Sequence, residues 1–301
     1  ESEGMLCSGV ELGVSGNMYP GADYNGLLVL PEDAKTGSDV KPVLGLDDWI
    51  FDIAITANRP DCQSIIGIAR EIAAVLNKEF KMPDLSYTPS GEVKEGFKVD
   101  VKANDLCPRY IACYVSDVKI KEAPLWMKRR LALTGMDSIS NIVDITNYVL
   151  KEFGQPMHAF DCNYLEGNEI NVRRAADGEK IVTLDSQEYE LNSNNLVICD
   201  GVKAVALAGV MGGLNSEIRD TTSAVMFESA KFARDNIRKT SRALGKQSDA
   251  GSRYEKGVDE YSTVNGMKRA LHLIEELGCG KVSSTLSLIH ISEPTRHLRI
   301  S

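Results

Sequence analysis

Histidine is scarce in this 301-residue chain: only His158, His272, His290 and His297 occur. Chemistry that depends on a poised imidazole is therefore confined to very few positions. The seven cysteines (Cys7, Cys62, Cys107, Cys113, Cys162, Cys199, Cys279) are odd in number and form no CxxC pair. This argues against a disulfide framework or a zinc site and for reduced thiols in a cytoplasmic protein. There is no basic-then-apolar leader and no apolar run of membrane-spanning length, so a soluble chain with no membrane partner is expected. No GK[ST] loop or GxGxxG is present, nor any Ser/His/Asp order, Cys/His pair or metal-ligand spacing. Phosphate-loop, covalent-nucleophile and metal mechanisms are thus not indicated. The balance of 34 basic against 43 acidic residues gives no bulk attraction to nucleic acid, so any RNA contact must come from local basic patches or a partner subunit. Aromatics make up only 6%, yet 43% of the chain is hydrophobic, ample for a packed core.

The patterning points to an α+β fold with a small N-terminal structural module and a larger mixed α/β domain. In residues 1–81, the stretches 26–31 and 49–55 read as strands. Ile65 to Asn77 reads as a helix capped by Asp61. Residues 82–96 lack either periodicity and suit a linker. From 97 to 283, strand-like runs at 97–101, 110–115, 170–172, 180–183, 196–198 and 224–227 mix with helical patterns at 124–134, 140–152, 233–244 and 259–277. Residues 284–301 lose the pattern and are set apart as a tail, a reading-frame scar outside the function.

His272 sits in an apolar helical run, and His290 and His297 fall in the tail, which leaves His158 as the histidine available for site chemistry. Gly154 and Pro156 should break the preceding helix and turn the chain back, bringing His158 near Thr146 and Asn147. Residue types alone leave a structural or a catalytic histidine open and favour the structural one. The run from Ala206 through Ala208 and Gly209 to Gly213 permits close approach of a ligand to backbone N–H groups, or is simply a strand entering a turn. Glu228 ends an apolar strand. It is either a ligand acceptor or the partner of an arginine, with the latter favoured. Arg234, Arg238 and Arg242, with Lys231, Lys239 and Lys246, form a basic helical stripe that suits a solvated face better than a phosphate contact. The same holds for Lys128-Arg129-Arg130.

Several motifs together resemble the β subunits of bacterial phenylalanyl-tRNA synthetases. They are Gly4-Met5-Leu6-Cys7-Ser8, Leu28-Val29-Leu30-Pro31-Glu32-Asp33-Ala34, Ile55-Thr56-Ala57-Asn58-Arg59-Pro60-Asp61-Cys62, Ser140-Asn141-Ile142-Val143-Asp144-Ile145-Thr146-Asn147-Tyr148, Gln155-Pro156-Met157-His158-Ala159-Phe160-Asp161, Leu207-Ala208-Gly209-Val210-Met211-Gly212-Gly213, and Arg253-Tyr254-Glu255-Lys256-Gly257-Val258-Asp259. They stand in the family's order over about residues 4–283. The resemblance implies that residues 1–81 are the end of a tRNA-binding OB insertion and its flanking domain. It implies that 97–283 is the editing domain, which hydrolyses the ester of mischarged Tyr-tRNA(Phe). Its site would use His158, Thr146 and Asn147 for catalysis and Glu228, Gly209, Ala208, Ala250 and Pro156 for binding the amino acid.

The resemblance further implies the tRNA(Phe) acceptor end and an α subunit, in an α2β2 enzyme, as partners, with tyrosine as the edited amino acid. ATP and Mg would serve the full enzyme and no cofactor this fragment, which should not aminoacylate. A tyrosine phenol bonded by Glu228 and the Gly209 backbone would be preferred over phenylalanine by on the order of 10⁴-fold, because phenylalanine leaves a desolvated carboxylate unpaired. The alternatives are a non-catalytic scaffold that binds tRNA or amino acid within the synthetase, and a small-molecule amidase or esterase unrelated to tRNA.

Overall fold

The computed structural model describes residues 4–289. The helices are α1 (Lys41–Leu44), α2 (Ile65–Val75), α3 (Leu125–Leu133), α4 (Asn141–Phe153), α5 (Arg234–Ala243), α6 (Asp249–Lys256) and α7 (Ser262–Glu276). The strands are β1 (Lys98–Val101), β2 (Arg109–Ser116), β3 (Met157–Asp161), β4 (Glu169–Arg174), β5 (Lys180–Val182), β6 (Glu188–Glu190), β7 (Leu196–Cys199), β8 (Ala204–Leu207), β9 (Met211–Gly212), β10 (Val225–Lys231) and β11 (Lys281–Ile289). This mixture is the expected α+β class. The chain divides into two units, Glu1–Ala54 with Lys121–Asp144, and Ile55–Ile120 with Ile145–Ser301.

In the first unit Val14, Met18, Tyr19, Ala22 and Leu44 form a small core with Ala132 and Leu133 packed against it. Arg129 is a brace here rather than a nucleic-acid contact: its guanidinium donates to the carbonyls of Met18 (2.6 Å) and Val43 (3.0 Å). The stretches 26–31 and 49–55, expected as strands, form none. Most of their apolar residues are open to solvent, with Val29 79% and Trp49 84% exposed, while Leu28 packs against the small core. Alternation is a property of the sequence, but a strand exists only where a neighbour pairs with its backbone.

The second unit holds two sheets. One runs β11-β2-β10-β3, all antiparallel, and the other β1-β4-β7-β8-β9, antiparallel except for the β1–β4 pair; β5 and β6 form a separate hairpin. Period-two alternation divides the faces of the first sheet. Tyr110, Ala112, Phe160, Met226 and Ala230 turn towards a core shared with Ile170, Val172, Val197, Ile198 and Val205 of the second sheet. On the opposite face α7 packs along β2 and β10, and the Ser229 hydroxyl donates to the Thr263 carbonyl at 2.8 Å.

Three local expectations change. Ser64, not Asp61, caps α2, accepting the Gly67 N–H at 2.9 Å; Asp61 sits in the 3-10 turn Pro60–Cys62 and pairs with Arg59. His158 lies in a strand, β3. The segment set apart from residue 284 is partly inside the fold, because β11 continues to Ile289 alongside β2; residues 290–301, with His290 and His297, lie outside the described residues. His272, on α7, is structural: its Nδ1 is 2.6 Å from the Ser86 carbonyl oxygen.

Candidate functional site

The face of β10 that carries Met226 and Ala230 packs into the core shared with the second sheet, so a carboxylate on that face is largely removed from bulk water. Glu228 holds that position at 5% exposure, opposite Ala112 of β2 on one side and His158 of β3 on the other. Among the described residues no arginine pairs with it. The Tyr110 hydroxyl donates to its Oε2 at 3.1 Å. Burial pushes the Glu228 carboxyl up to about 8, with the Tyr110 bond only partly offsetting the shift, so the acid is mostly neutral at pH 7.

The residues opposed across the ladder share a face, so the His158 ring lies on the same side of the sheet as Glu228. It meets Phe160 edge-on, with centroids 4.5 Å apart. The residue is partly exposed, but Nε2 is sealed from water and has no hydrogen-bond partner. Burial lowers the imidazole to about 4, which makes it neutral over the physiological range. A Cβ on Gly212 of β9 would stand 2.5 Å from His158 Cε1, so this glycine lets the second sheet close over the ring.

Between β8 and β9 the chain turns through Ala208, Gly209 and Val210. Ala208 is buried. Gly209 takes φ +67°, and a Cβ there would reach Phe232, Ile237 and Tyr254 at 2.9–3.0 Å. The start of α6 is fastened to this turn by its cap: Ser248 Oγ accepts the Gly251 N–H (3.0 Å) and donates to the Val210 carbonyl (2.9 Å). Ala250, half-buried, lies in the first turn of α6.

Gly154, at φ +70°, ends α4, and Pro156 leads into β3. The β3–β10 ladder stops at Met157–Ser229, since Pro156 has no N–H to extend it. The Ala230 carbonyl instead accepts from Gln155 Nε2 and from the Tyr254 hydroxyl, each at 3.0 Å. Thr146 is buried and Asn147 half-buried on α4. The structure sets Glu228 opposite His158 on one face of the first sheet, with Gly212 against the His158 ring and Gly209 packed on Phe232, Ile237 and Tyr254. It makes no hydrogen bond from His158 to Thr146 or Asn147.

Tyr110, Gln155, Gly212 and Tyr254 had no site role assigned from the sequence. Tyr110 carried a signal: it is the hydroxyl-bearing residue at the start of an alternating apolar run, facing the same way as Ala112. The basic stripe on α5 is solvated and paired, with Lys231 bound to Glu260, Arg238 to Asp235 and Lys246 to Asp185. Asp61, Cys62 and Glu71 cluster tightly enough to suggest a metal. Both carboxylates, however, already bind Arg59, at 2.7 and 2.6 Å. A cavity of about 460 Å³ beside β5 is lined partly by Lys180, Lys203, Asn215 and Arg219; each of its three cations is paired with an acid.

Fold and site together define an α+β domain in which an acid and a histidine oppose each other on one face between two sheets. A family model described as the B3/4 domain matches residues 106–279, more than half of the chain, and the chain belongs to that family. It is 48% identical over 282 residues to the phenylalanine–tRNA ligase β subunit of Syntrophus aciditrophicus, covering 93% of this chain and 34% of that protein. It is 47% identical to the subunit of the same name from Geobacter metallireducens, over 99% of this chain and 37% of that one. The chain thus spans about a third of the length of the curated relatives it matches. Among solved structures it is similar to an N-terminal fragment of the phenylalanyl-tRNA synthetase β-subunit from Pyrococcus horikoshii, with TM-score 0.43 and 13% identity over 77% of this chain and 64% of that chain. No helix among the described residues is long and apolar enough to cross a membrane.

Proposed function

We propose that this chain is the editing part of a phenylalanine–tRNA ligase β subunit, hydrolysing the ester of Tyr-tRNA(Phe) while sparing Phe-tRNA(Phe). Its partners are then the tRNA(Phe) acceptor end and the ligase α subunit, in the cytoplasm. ATP and Mg belong to aminoacylation by the whole enzyme. The supporting observation is the opposed pair Glu228 and His158, on one face, in a chain whose relatives are β subunits of that ligase.

Tyrosine differs from phenylalanine by one hydroxyl, so discrimination requires a group that is satisfied by a phenol and orphaned by a hydrogen. Glu228 has Oε2 engaged by Tyr110, which leaves Oε1 for the ligand. Because the acid is neutral when buried, phenylalanine strands a carboxyl group rather than a charge. The penalty is about 1–3 kcal/mol, or roughly 10- to 100-fold, smaller than a buried carboxylate would give. Ala208 and Ala250 leave room for the ring, and the Gly209 backbone closes the turn beside it.

At the ester, His158 acts by position. An imidazole with a pKa of about 4 is a weak general base at pH 7. Its Nε2, unpartnered and closed off beside Gly212, instead gains a hydrogen bond from the terminal ribose or an attacking water when the arriving acceptor end opens that space. Thr146 and Asn147 on the preceding helix, and Pro156 at the mouth of β3, orient the acceptor end. No covalent intermediate is involved.

The test is incubation of the chain, and of His158→Ala, with Tyr-tRNA(Phe) and Phe-tRNA(Phe), following loss of each ester against buffer. Selective loss of the tyrosyl ester, slowed about 10- to 100-fold by His158→Ala in a folded protein, is expected. Loss of neither ester, with tyrosine still bound, would replace catalysis by a scaffold role; ester hydrolysis indifferent to RNA would point to a small-molecule esterase.

A further inference from the structure

Tyr110 is fully buried, and its phenol needs an acceptor that water cannot supply. That acceptor is Glu228 Oε2, 3.1 Å away. The strand register explains how they meet. Glu228 stands opposite Ala112, and Tyr110 stands opposite Ala230, one diagonal step along the same face. An alanine across from each long side chain leaves the volume in which the two reach each other. The other nearby phenol is not a competing donor, because the Tyr254 hydroxyl is committed to the Ala230 carbonyl at 3.0 Å.

A glutamate has three side-chain torsions, and an unanchored one loses that freedom on binding a ligand. Fixing one carboxyl oxygen sets the rotamer and plane of the group before the ligand arrives and determines which oxygen faces it. We propose that Tyr110 is the positioning residue of the specificity site, anchoring Glu228 through Oε2 so that Oε1 reads the substrate phenol. This rests on the editing reading above.

The variant that tests it is Tyr110→Phe, which keeps the ring and removes the hydroxyl. Two readouts separate positioning from mere packing. The first, a ¹³C-carboxyl NMR titration of Glu228, needs no substrate: the lost donor should raise the midpoint above its wild-type value. The second is the ratio of Tyr-tRNA(Phe) to Phe-tRNA(Phe) hydrolysis, which should fall about 5- to 10-fold, through the tyrosyl substrate alone. If Glu228→Gln lowers that ratio while Tyr110→Phe leaves both ratio and titration unchanged, the positioning role is overturned. If wild type and Glu228→Gln are equally unselective or inactive, the editing reading fails instead, and the titration alone decides the Tyr110–Glu228 coupling. Should Tyr110→Phe not fold, ¹³Cζ-tyrosine labelling of the wild type answers the same question. The Tyr110 signal must move with the Glu228 titration, and a signal that does not move refutes the proposal.

Discussion

Glu228 and His158 stand directly opposite each other across the β3–β10 ladder, and burial drives their ionisation in opposite directions to the same end. The acid rises to about 8 and the imidazole falls to about 4, so the pair is neutral at pH 7. An ion pair would have been the obvious reading of a glutamate facing a histidine. Desolvation in a space between two sheets wins over that attraction.

The first prediction concerns pH. Glu228 has its folded pKa raised, to about 8 from 4.5; the folded state keeps a proton that the unfolded chain releases, so this stabilisation is lost as pH rises from about 4.5 to 8. His158 has its folded pKa lowered, to about 4 from 6.5; the unfolded chain takes a proton that the folded state refuses, so stability is lost as pH falls from about 6.5 to 4. Each effect is on the order of a few kcal/mol. Urea unfolding from pH 4 to 9 should show Glu228→Gln flattening the alkaline limb and His158→Gln the acid limb. Superimposable profiles for all three proteins would refute the assigned ionisation.

Two glycines should fail differently. Gly209→Ala combines a left-handed backbone with contacts at 2.9–3.0 Å to Phe232, Ile237 and Tyr254 and should cost about 2–4 kcal/mol. Gly212→Ala strains no backbone but drives its methyl into His158 Cε1. Its main effect should be displacement of the ring towards water, seen by NMR as an imidazole midpoint moving up towards 6.5. An unmoved His158 titration in Gly212→Ala would contradict the close approach.

What the sequence disclosed follows the physics of each signal. The helices at α3, α4, α5 and α7 and most strands of the second unit were legible, because burial imposes their periodicity. The stretches at 26–31 and 49–55 carried the same signal without forming strands, since pairing partners are not encoded locally. The strand identity of His158 was masked by Gly154 and Pro156, which announce a turn more loudly than five residues announce a strand. The resemblance named Glu228 and His158. Neutrality of the pair and the Tyr110 anchor required the register, because they depend on what lies across a ladder.

The Ala230 carbonyl, served by both Gln155 and Tyr254, predicts coupling. Tyr254→Phe should cost about 1 kcal/mol, because Gln155 still satisfies the acceptor. Gln155→Leu should cost about 2–3 kcal/mol, since it also removes the 2.9 Å donor to the Pro156 carbonyl, while the Ser262 hydroxyl keeps the Asp259 carbonyl as its acceptor. The double variant should exceed their sum by about 1 kcal/mol, because the buried carbonyl then has neither donor. Strict additivity in a denaturant-unfolding cycle would show that the carbonyl finds another partner.

The measurement closest to the central claim is the ratio of Tyr-tRNA(Phe) to Phe-tRNA(Phe) hydrolysis in the wild type and in Glu228→Ala. A buried acid that reads the phenol predicts a wild-type ratio of roughly 10 to 100 that collapses towards one in the variant, with the phenylalanyl rate unchanged or raised. An equal ratio in the two proteins would contradict it and remove Glu228 from substrate recognition.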